Sequence, residues 1–473
     1  MSAEDPTKPV HPPVSKTAGG SDAVRTAQAG TLKPEAQTAT DHHAPADHVP
    51  QNKQGSGSTG NGEVIPGVLE ISAAAGDAVV ALEPEQDIPV SAVSKDIMRP
   101  VRIWLWLLAL MVFGMVVVGG ATRLTEAGLS ITEWKPLTGV LPPLSDAQWN
   151  ETFNKYKEIP QFKEMFSTMT MAQYKVIYFW EWGHRLLGRL LGVVFLLPFL
   201  FFLFTRRINS GLFVKLSLVF ALGALQGLIG WWMVKSGLTN RVEVAAERLA
   251  IHLLLAAITF TALIWLAMSL RQREPQPAAG DLRGEATCLI VAILIQIGLG
   301  GLVAGARAGL TYNTWPLMDG HLVPAIDKLT SMNPLWINFL ENPTTLQFQH
   351  RMFAYLLVLM ILGHAFLAMQ KVAGMKIVRR AWALTALVLV QAALGVFTLL
   401  HVLPAGKIPL YLALTHQAVA FVLLAMAVVH RAAMSKPHVL TQADAPSAPS
   451  APSVAAQPHT ISSVHSGDTA IAT

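Results

Sequence analysis

The sequence predicts an all-α membrane protein, with eight transmembrane helices forming two pseudo-symmetric four-helix bundles related by a parallel internal repeat. Three observations predict it. Of 473 residues, 52% are apolar and only 14% charged, against roughly 25% charged in a soluble domain. Eight apolar stretches reach the ~20 residues that cross a hydrocarbon core. Short strings in the first four stretches return, in order, in the second four.

Residues 1–97 are expected to be a disordered cytoplasmic extension. Strings such as GGSDAVRTAQAG and NKQGSGSTGNG bury too little apolar surface to fold. The scattered acids Glu4, Asp5, Asp22, Glu35 and Asp41 are unlike an acid-poor organelle transit peptide. The spans follow near 101–122, 183–204, 212–234, 247–270, 286–304, 346–369, 381–402 and 408–430. Each is helical because a segment in lipid must satisfy its own backbone hydrogen bonds. Residues 98–272 make a first four-helix half with a long loop, 123–182; residues 283–433 make a second with loop 305–345. An Ala/Pro/Ser-rich tail, 434–473, is read as disordered.

Basic residues mark alternate connections: Lys95, Arg99 and Arg102; Arg206, Arg207 and Lys215; Arg271, Arg273 and Arg283; Lys371, Lys376, Arg379 and Arg380; Arg431 and Lys436. The bias of Lys and Arg toward the inner side then places both termini in the cytoplasm and both long loops outside, in a bacterial inner membrane. The net charge of +5 reflects this topology, so the partner is the lipid bilayer and not nucleic acid. Cys288 is the single cysteine, which excludes an intrachain disulfide and a Cys-based metal cluster.

The repeat is read from GGATRLTEAGLSITEW at Gly119 and GGLVAGARAGLTYNTW at Gly300. Gly119, Gly128 and Trp134 map onto Gly300, Gly309 and Trp315 at an offset of 181. Beyond the loops, His184 maps onto His350 (offset 166), Gln226 onto Gln391 (165) and His252 onto His416 (164). Four spans per half is an even number, so both halves share one orientation, unlike the inverted repeats of many transporters.

Each half carries one histidine opening its second span and one near the start of its fourth. All four, His184, His252, His350 and His416, then sit toward the outer face. Imidazoles paired at one depth across a bundle can clamp an iron porphyrin from both sides. A lone histidine in a span is more often a hydrogen-bonded helix contact, but two repeated pairs of intramembrane ionisable groups point to function. His364, His401, His430 and loop His321 have no counterpart in the other half and take the structural reading, although His364 lies 14 residues after His350, on roughly the same helical face. Arg185 and Arg351 directly follow the second-span histidines and suit haem propionates. Arg123 is a third candidate, with interfacial snorkelling as the alternative for all three.

The halves differ at one position. Glu181 stands three residues before His184, and Gln347 three before His350, sharing a helical face with them. A carboxylate can take a proton or stabilise a developing cation, which an amide of similar shape does poorly. The first pair is therefore expected to host a reaction with Glu181 as its catalytic group, and the second to hold a permanent redox haem.

These residues resemble a known family. GGATRLTEAGLSITEWKPLTGVLPP, EWGHRLLGR, ERLAIHLLLA, QFQHRMFAYLL and LTHQAVA are similar to haem A synthase, in the branch shared by mitochondria and alpha-type proteobacteria, over about residues 98–433. The resemblance implies an oxidoreductase that converts a methyl group of haem O, through a hydroxymethyl stage, to the formyl group of haem A for haem-copper oxidases. It implies haem b as cofactor on His350 and His416, haem O as substrate at His184 and His252, and Glu181 as the functional acid. Another branch carries loop cysteines; Cys288 stands alone here, so chemistry needing such a pair is excluded. A handoff of haem O from the farnesyltransferase that makes it, an unspecified electron acceptor or donor, and a homo-oligomer are partners left open. Two rivals are a di-haem cytochrome b-type electron carrier, which often places two histidine pairs on the same two helices, and a membrane haem carrier, which needs no Glu/Gln difference.

Overall fold

The computed structural model describes residues 96–434, apart from 136–137, 240, 272–281, 373 and 404–405. The expected disordered segments, up to residue 95 and after 434, lie outside the described residues. Eight long apolar helices dominate: α1 (Arg99–Leu124), α2 (Met171–Phe204), α3 (Ser210–Thr239), α4 (Ala246–Ser269), α5 (Leu282–Gly305), α6 (Pro343–Lys371), α7 (Met375–Leu400) and α8 (Leu410–Ala433). The chain is thus an all-α, multi-pass membrane protein. Apolar side chains such as Leu110, Phe204, Leu218 and Leu359 point outward, an arrangement that lipid tolerates and water would not.

Local chemistry sets several helix ends. Pro100 in the first turn of α1 and Pro343 opening α6 have no N–H to leave unpaired and a φ already set for helix. Asn342 caps α6 by accepting from Thr344 N at 3.0 Å. α2 begins at Met171 rather than near 183, because Thr170 and Gln173 form a reciprocal capping box. Its added residues leave the apolar pattern and pack on the loop instead. There Trp149, Phe153 and Tyr156, from a helix at Asp146–Lys157, meet Tyr174 and Tyr178 of α2. The long first loop is therefore shorter than residues 123–182 and contains two helices of its own, the second at Pro160–Met165.

In the first half α1 packs on α2 and α4, and α3 on α4 and α2. In the second, α5 packs on α6 and α8, and α7 on α8 and α6. Each contact has its counterpart under the sequence repeat. The halves meet where α4 and α8 face α5 and α1. Lipid provides little hydrophobic drive between helices, so close approach of small residues matters most. A methyl placed on Gly301 would lie 2.9 Å from Cα of Ala250, and one on Gly305 2.6 Å from Cα of Ala246. The backbones of α5 and α4 therefore touch through two glycines and two alanines.

An ion cluster closes this seam at one end. Arg123 pairs with Glu243 at 2.6 Å and donates to the Gly305 carbonyl at 3.2 Å. Arg307 pairs with both Glu243 and Glu126. Glu126 and Arg307 are equivalent positions of the repeat, and both have positive φ, 57° and 49°. An Arg307→Glu chain, with like charges facing each other, should lose of order 1 kcal/mol, read as earlier thermal inactivation in detergent. Adding Glu126→Arg should recover part of that loss.

Candidate functional site

α1, α3, α5 and α7 end on the side where α2, α4, α6 and α8 begin. His184, His252, His350 and His416 all lie in that layer, each within the first half of its helix. Every one of the four rings rests against a glycine on a neighbouring helix. A methyl built on Gly119 would lie 2.9 Å from Cε1 of His184; on Gly230, 2.9 Å from that of His252; on Gly300, 3.2 Å from His350; on Gly395, 2.9 Å from His416. Glycine inside a helix costs about 1 kcal/mol relative to alanine, and here it makes room for a ring. Gly119 and Gly300 are visible in the sequence repeat. Gly230 and Gly395 close the repeated strings LQGLIG and VQAALG, which was the signal available for them.

His184 lies near enough to His252 to influence its charge, and His416 near enough to His350. Their surroundings differ. In the second pair, Gln296 Nε2 lies 3.1 Å from His350 Nδ1 and Gln391 Nε2 lies 3.2 Å from His416 Nδ1. Both amides also donate to the backbone carbonyl of their histidine, at 3.1 and 2.9 Å. In the first pair, Gln226 reaches only the His252 carbonyl, at 2.9 Å. Met115 holds the position equivalent to Gln296, and Nδ1 of both His184 and His252 is buried without a partner. Glutamines that hold a ring fix the orientation of a ligand; the first pair has no such restraint.

Beside each second-span histidine the loop is latched to the helix. Glu181, 3% exposed, accepts from Ser130 Oγ at 2.7 Å, Ile131 N at 2.8 Å and Arg185 at 2.6 Å. Arg185 donates onward to the carbonyls of Ile131 and Glu133, both at 2.9 Å. In the second half Gln347 donates to the Tyr312 carbonyl at 3.1 Å, and Arg351 to the carbonyls of Tyr312 and Thr314 at 2.8 and 3.0 Å. Tyr312 and Thr314 are Ile131 and Glu133 displaced by 181, so the two arginines make the same bonds. The loop side is polar: Lys135 first, then Lys155, hold the Glu133 carboxyl below its usual range.

The charge left over is not the same. Arg185 is compensated by Glu181. Arg351, only 8% exposed, has no acidic partner among the described residues, and its Nε is buried without an acceptor. Arg123 is committed to Glu243 at the seam. A haem needs two imidazoles facing one gap and a cation for its propionates. Each half brings two imidazoles into one layer, and Arg351 is the one of the three candidate arginines without an acidic partner among the described residues, so the residues fit the group. His364 and His430, read as isolated structural histidines, meet each other at the opposite end of the second half, with Nε2 atoms 3.0 Å apart. His321 and His401 are exposed.

Comparison with known proteins shows the family. The family described as cytochrome oxidase assembly protein matches residues 102–428. A heme A synthase of Beijerinckia indica is 53% identical over 342 residues, covering 72% of this chain and 94% of its own length. One of Bradyrhizobium sp. strain ORS 278 is 50% identical over 335 residues, 71% of this chain and 91% of its own. One of Rhodopseudomonas palustris strain BisA53 is 49% identical over 341 residues, 72% and 92%. The matched region enters all eight helices and all four ligand-type histidines fall inside it, so the chain belongs to the cytochrome oxidase assembly protein family, among relatives named heme A synthase.

Proposed function

We propose that this chain is a haem A synthase that oxidises a methyl group of haem O to the formyl group of haem A. His184 and His252 hold the substrate, His350 and His416 hold a resident haem b, and Arg351 meets a propionate of the latter. The observation that carries this reading is the pair of matched latches that differ in one atom type: a carboxylate at Glu181 and an amide at Gln347. The unrestrained first pair suits a molecule that enters and leaves, and the glutamine-held second pair suits one that stays. The repeated helix contacts support two pseudo-symmetric bundles.

Written as a half-reaction balanced with water, the conversion is R–CH3 + H2O → R–CHO + 4 H+ + 4 e−, in two rounds with the hydroxymethyl compound between them and with an electron acceptor outside this chain taking the four electrons. Haem b supplies one-electron redox chemistry when bound. Glu181 stands in the same helical turn as His184 with three donors already on its oxygens, which keeps the carboxylate in one place. From there it stabilises positive charge building on the substrate carbon and accepts its proton. Arg185 positions Glu181 and ties it to the loop. The alternation of basic loops supports cytoplasmic termini and histidine pairs on the periplasmic side of an inner membrane. Haem O synthase as the source of substrate rests on the substrate's chemistry alone.

The deciding experiment is to purify the chain from cells that make haem O and identify the extracted haems by chromatography and mass. Haem b together with haem O, its alcohol or haem A is expected. Haem b alone would favour an electron carrier. That alternative is already disfavoured by His364 and His430: they lie on the same helices as His350 and His416, but their direct contact at 3.0 Å leaves no gap for a macrocycle. The glycine seats provide a further test. Gly395→Ala should lower the haem b content about tenfold, the scale of lost outer support for a ligand. Gly183→Ala, with nothing within 4 Å of the added methyl, should leave it unchanged. Absorbance per protein measures both.

A further inference from the structure

We infer that Glu285, His364 and His430 form a proton-exchanging chain at the membrane face opposite the four ligand-type histidines, and that it takes up a proton when the haem held by His350 and His416 is reduced. The inference rests on the proposed haem at that pair. His364 lies 14 residues beyond His350 on α6, and His430 lies 14 beyond His416 on α8, about 21 Å along each helix. Glu285, at the start of α5, meets them there.

With Glu285 ionised, the contacts set one polarity. A carboxylate only accepts, so His364 Nδ1, 3.3 Å from Glu285 Oε2, carries the hydrogen. His364 Nε2 is then a lone pair. It faces His430 Nε2 at 3.0 Å with the rings at 88°, so His430 donates from Nε2. That leaves His430 Nδ1 as a bare lone pair, and it is buried without a partner. Both imidazoles are buried, at 3% and 1% exposure, whereas the Glu285 side chain is 36% exposed. One end of the chain reaches the surface and the other ends inside the bundle.

A proton reaching His430 Nδ1 forms a new N–H bond there. The Nε2–H of His430 breaks as His364 Nε2–H forms, and the Nδ1–H of His364 breaks as Glu285 gains a proton for solvent. Each hop conserves atoms and charge and leaves both tautomers inverted; from that inverted state a proton entering at Glu285 passes to His364 Nδ1 as the Nε2–H of His364 passes to His430 Nε2, and His430, keeping its Nδ1–H, holds the added charge as an imidazolium. The fold does not require this chain. The equivalent positions of the first half are Trp104, Pro198 and Leu266, and the same bundle closes there with apolar groups. A buried nitrogen without a partner is destabilising, which makes its retention informative. The other charges nearby are Arg380 of α7, which acts on His430, Arg283 of α5, which donates to the Met434 carbonyl at 2.6 Å, and Arg431 of α8, which donates to Thr287 at 2.8 Å.

An electron placed about 21 Å away, at an effective dielectric of ~20, raises proton affinity about fourfold. That converts to a midpoint shift of about 35 mV between the acid and alkaline limits. The test is a spectroelectrochemical titration of the low-spin haem in the full-length chain across about pH 5 to 9. The wild-type midpoint should fall as pH rises. His430→Leu, which copies Leu266 of the first half, should keep its haem and show no such fall. A flat wild-type profile, or a His430→Leu chain with the wild-type slope, overturns the proposal. Nitrogen NMR of histidine-labelled protein gives a readout that needs no haem: His364 protonated on Nδ1 and His430 on Nε2, with this pattern lost in Glu285→Gln. Any other tautomer pair also overturns it. A chain carrying no low-spin haem refutes the site reading and the redox coupling together, while the tautomers still decide the polarity of the proton chain.

Discussion

Replacing His350 or His416 by alanine should strip the protein of the low-spin b-type absorption proposed for it while the helices still form. In the proposed site each ring is one of two ligands, and removing an outer partner alone already costs roughly 10–100-fold in affinity, so losing a ligand costs more. Folding should survive because neither histidine anchors the loop: the latch is made by Gln347 and Arg351, and the seam by α4 and α5. The methyl built on Gly300 or Gly395 comes closest to these rings, so truncation leaves a space beside each glycine. The reduced-minus-oxidised spectrum of the purified chain measures the effect. Circular dichroism that stays helical separates lost ligation from lost fold. Full retention of the haem band in both variants would place the resident haem elsewhere.

Glu181→Gln keeps that haem and stalls the chemistry, so haem O or its alcohol accumulates in place of haem A. The variant converts the first latch into a near copy of the second. Its cost is also structural. The carboxylate now accepts from Ser130, Ile131 and Arg185; an amide must turn an N–H toward at least one of those donors. An unpaired buried donor costs about 1–3 kcal/mol. Ser130→Ala removes one donor and keeps the carboxylate, so it controls for loosening of the loop. Should Ser130→Ala block product as completely as Glu181→Gln, the acid would be a strut and not a participant. Product ratios from extracted haems, read with thermal stability, separate the two.

The sequence disclosed the spans because lipid imposes long apolar runs, and the repeat made the histidine pairs visible without any coordinates. What it concealed was tertiary. The α2 extension from Met171 mixes Lys175 and tyrosines into its pattern, so it does not look like a membrane helix. Glu181 meets Ser130 and Ile131 some fifty residues earlier in the chain, and no local pattern announces that. Arg123 and Arg185 suited propionates by position, yet one is held by Glu243 and the other by Glu181. His364 and His430 appeared solitary because each lacks a counterpart in the other half. The shared 14-residue step from a ligand-type histidine was the clue that joined them.

The charges at Glu126 and Arg307 have a consequence for ancestry and for engineering. Two copies of the first half, assembled by the same contacts, would set carboxylate against carboxylate; two copies of the second would set guanidinium against guanidinium. Such juxtapositions disfavour the wrong partner. Expressed as separate polypeptides, the halves should therefore choose each other over themselves and operate as an orthogonal pair.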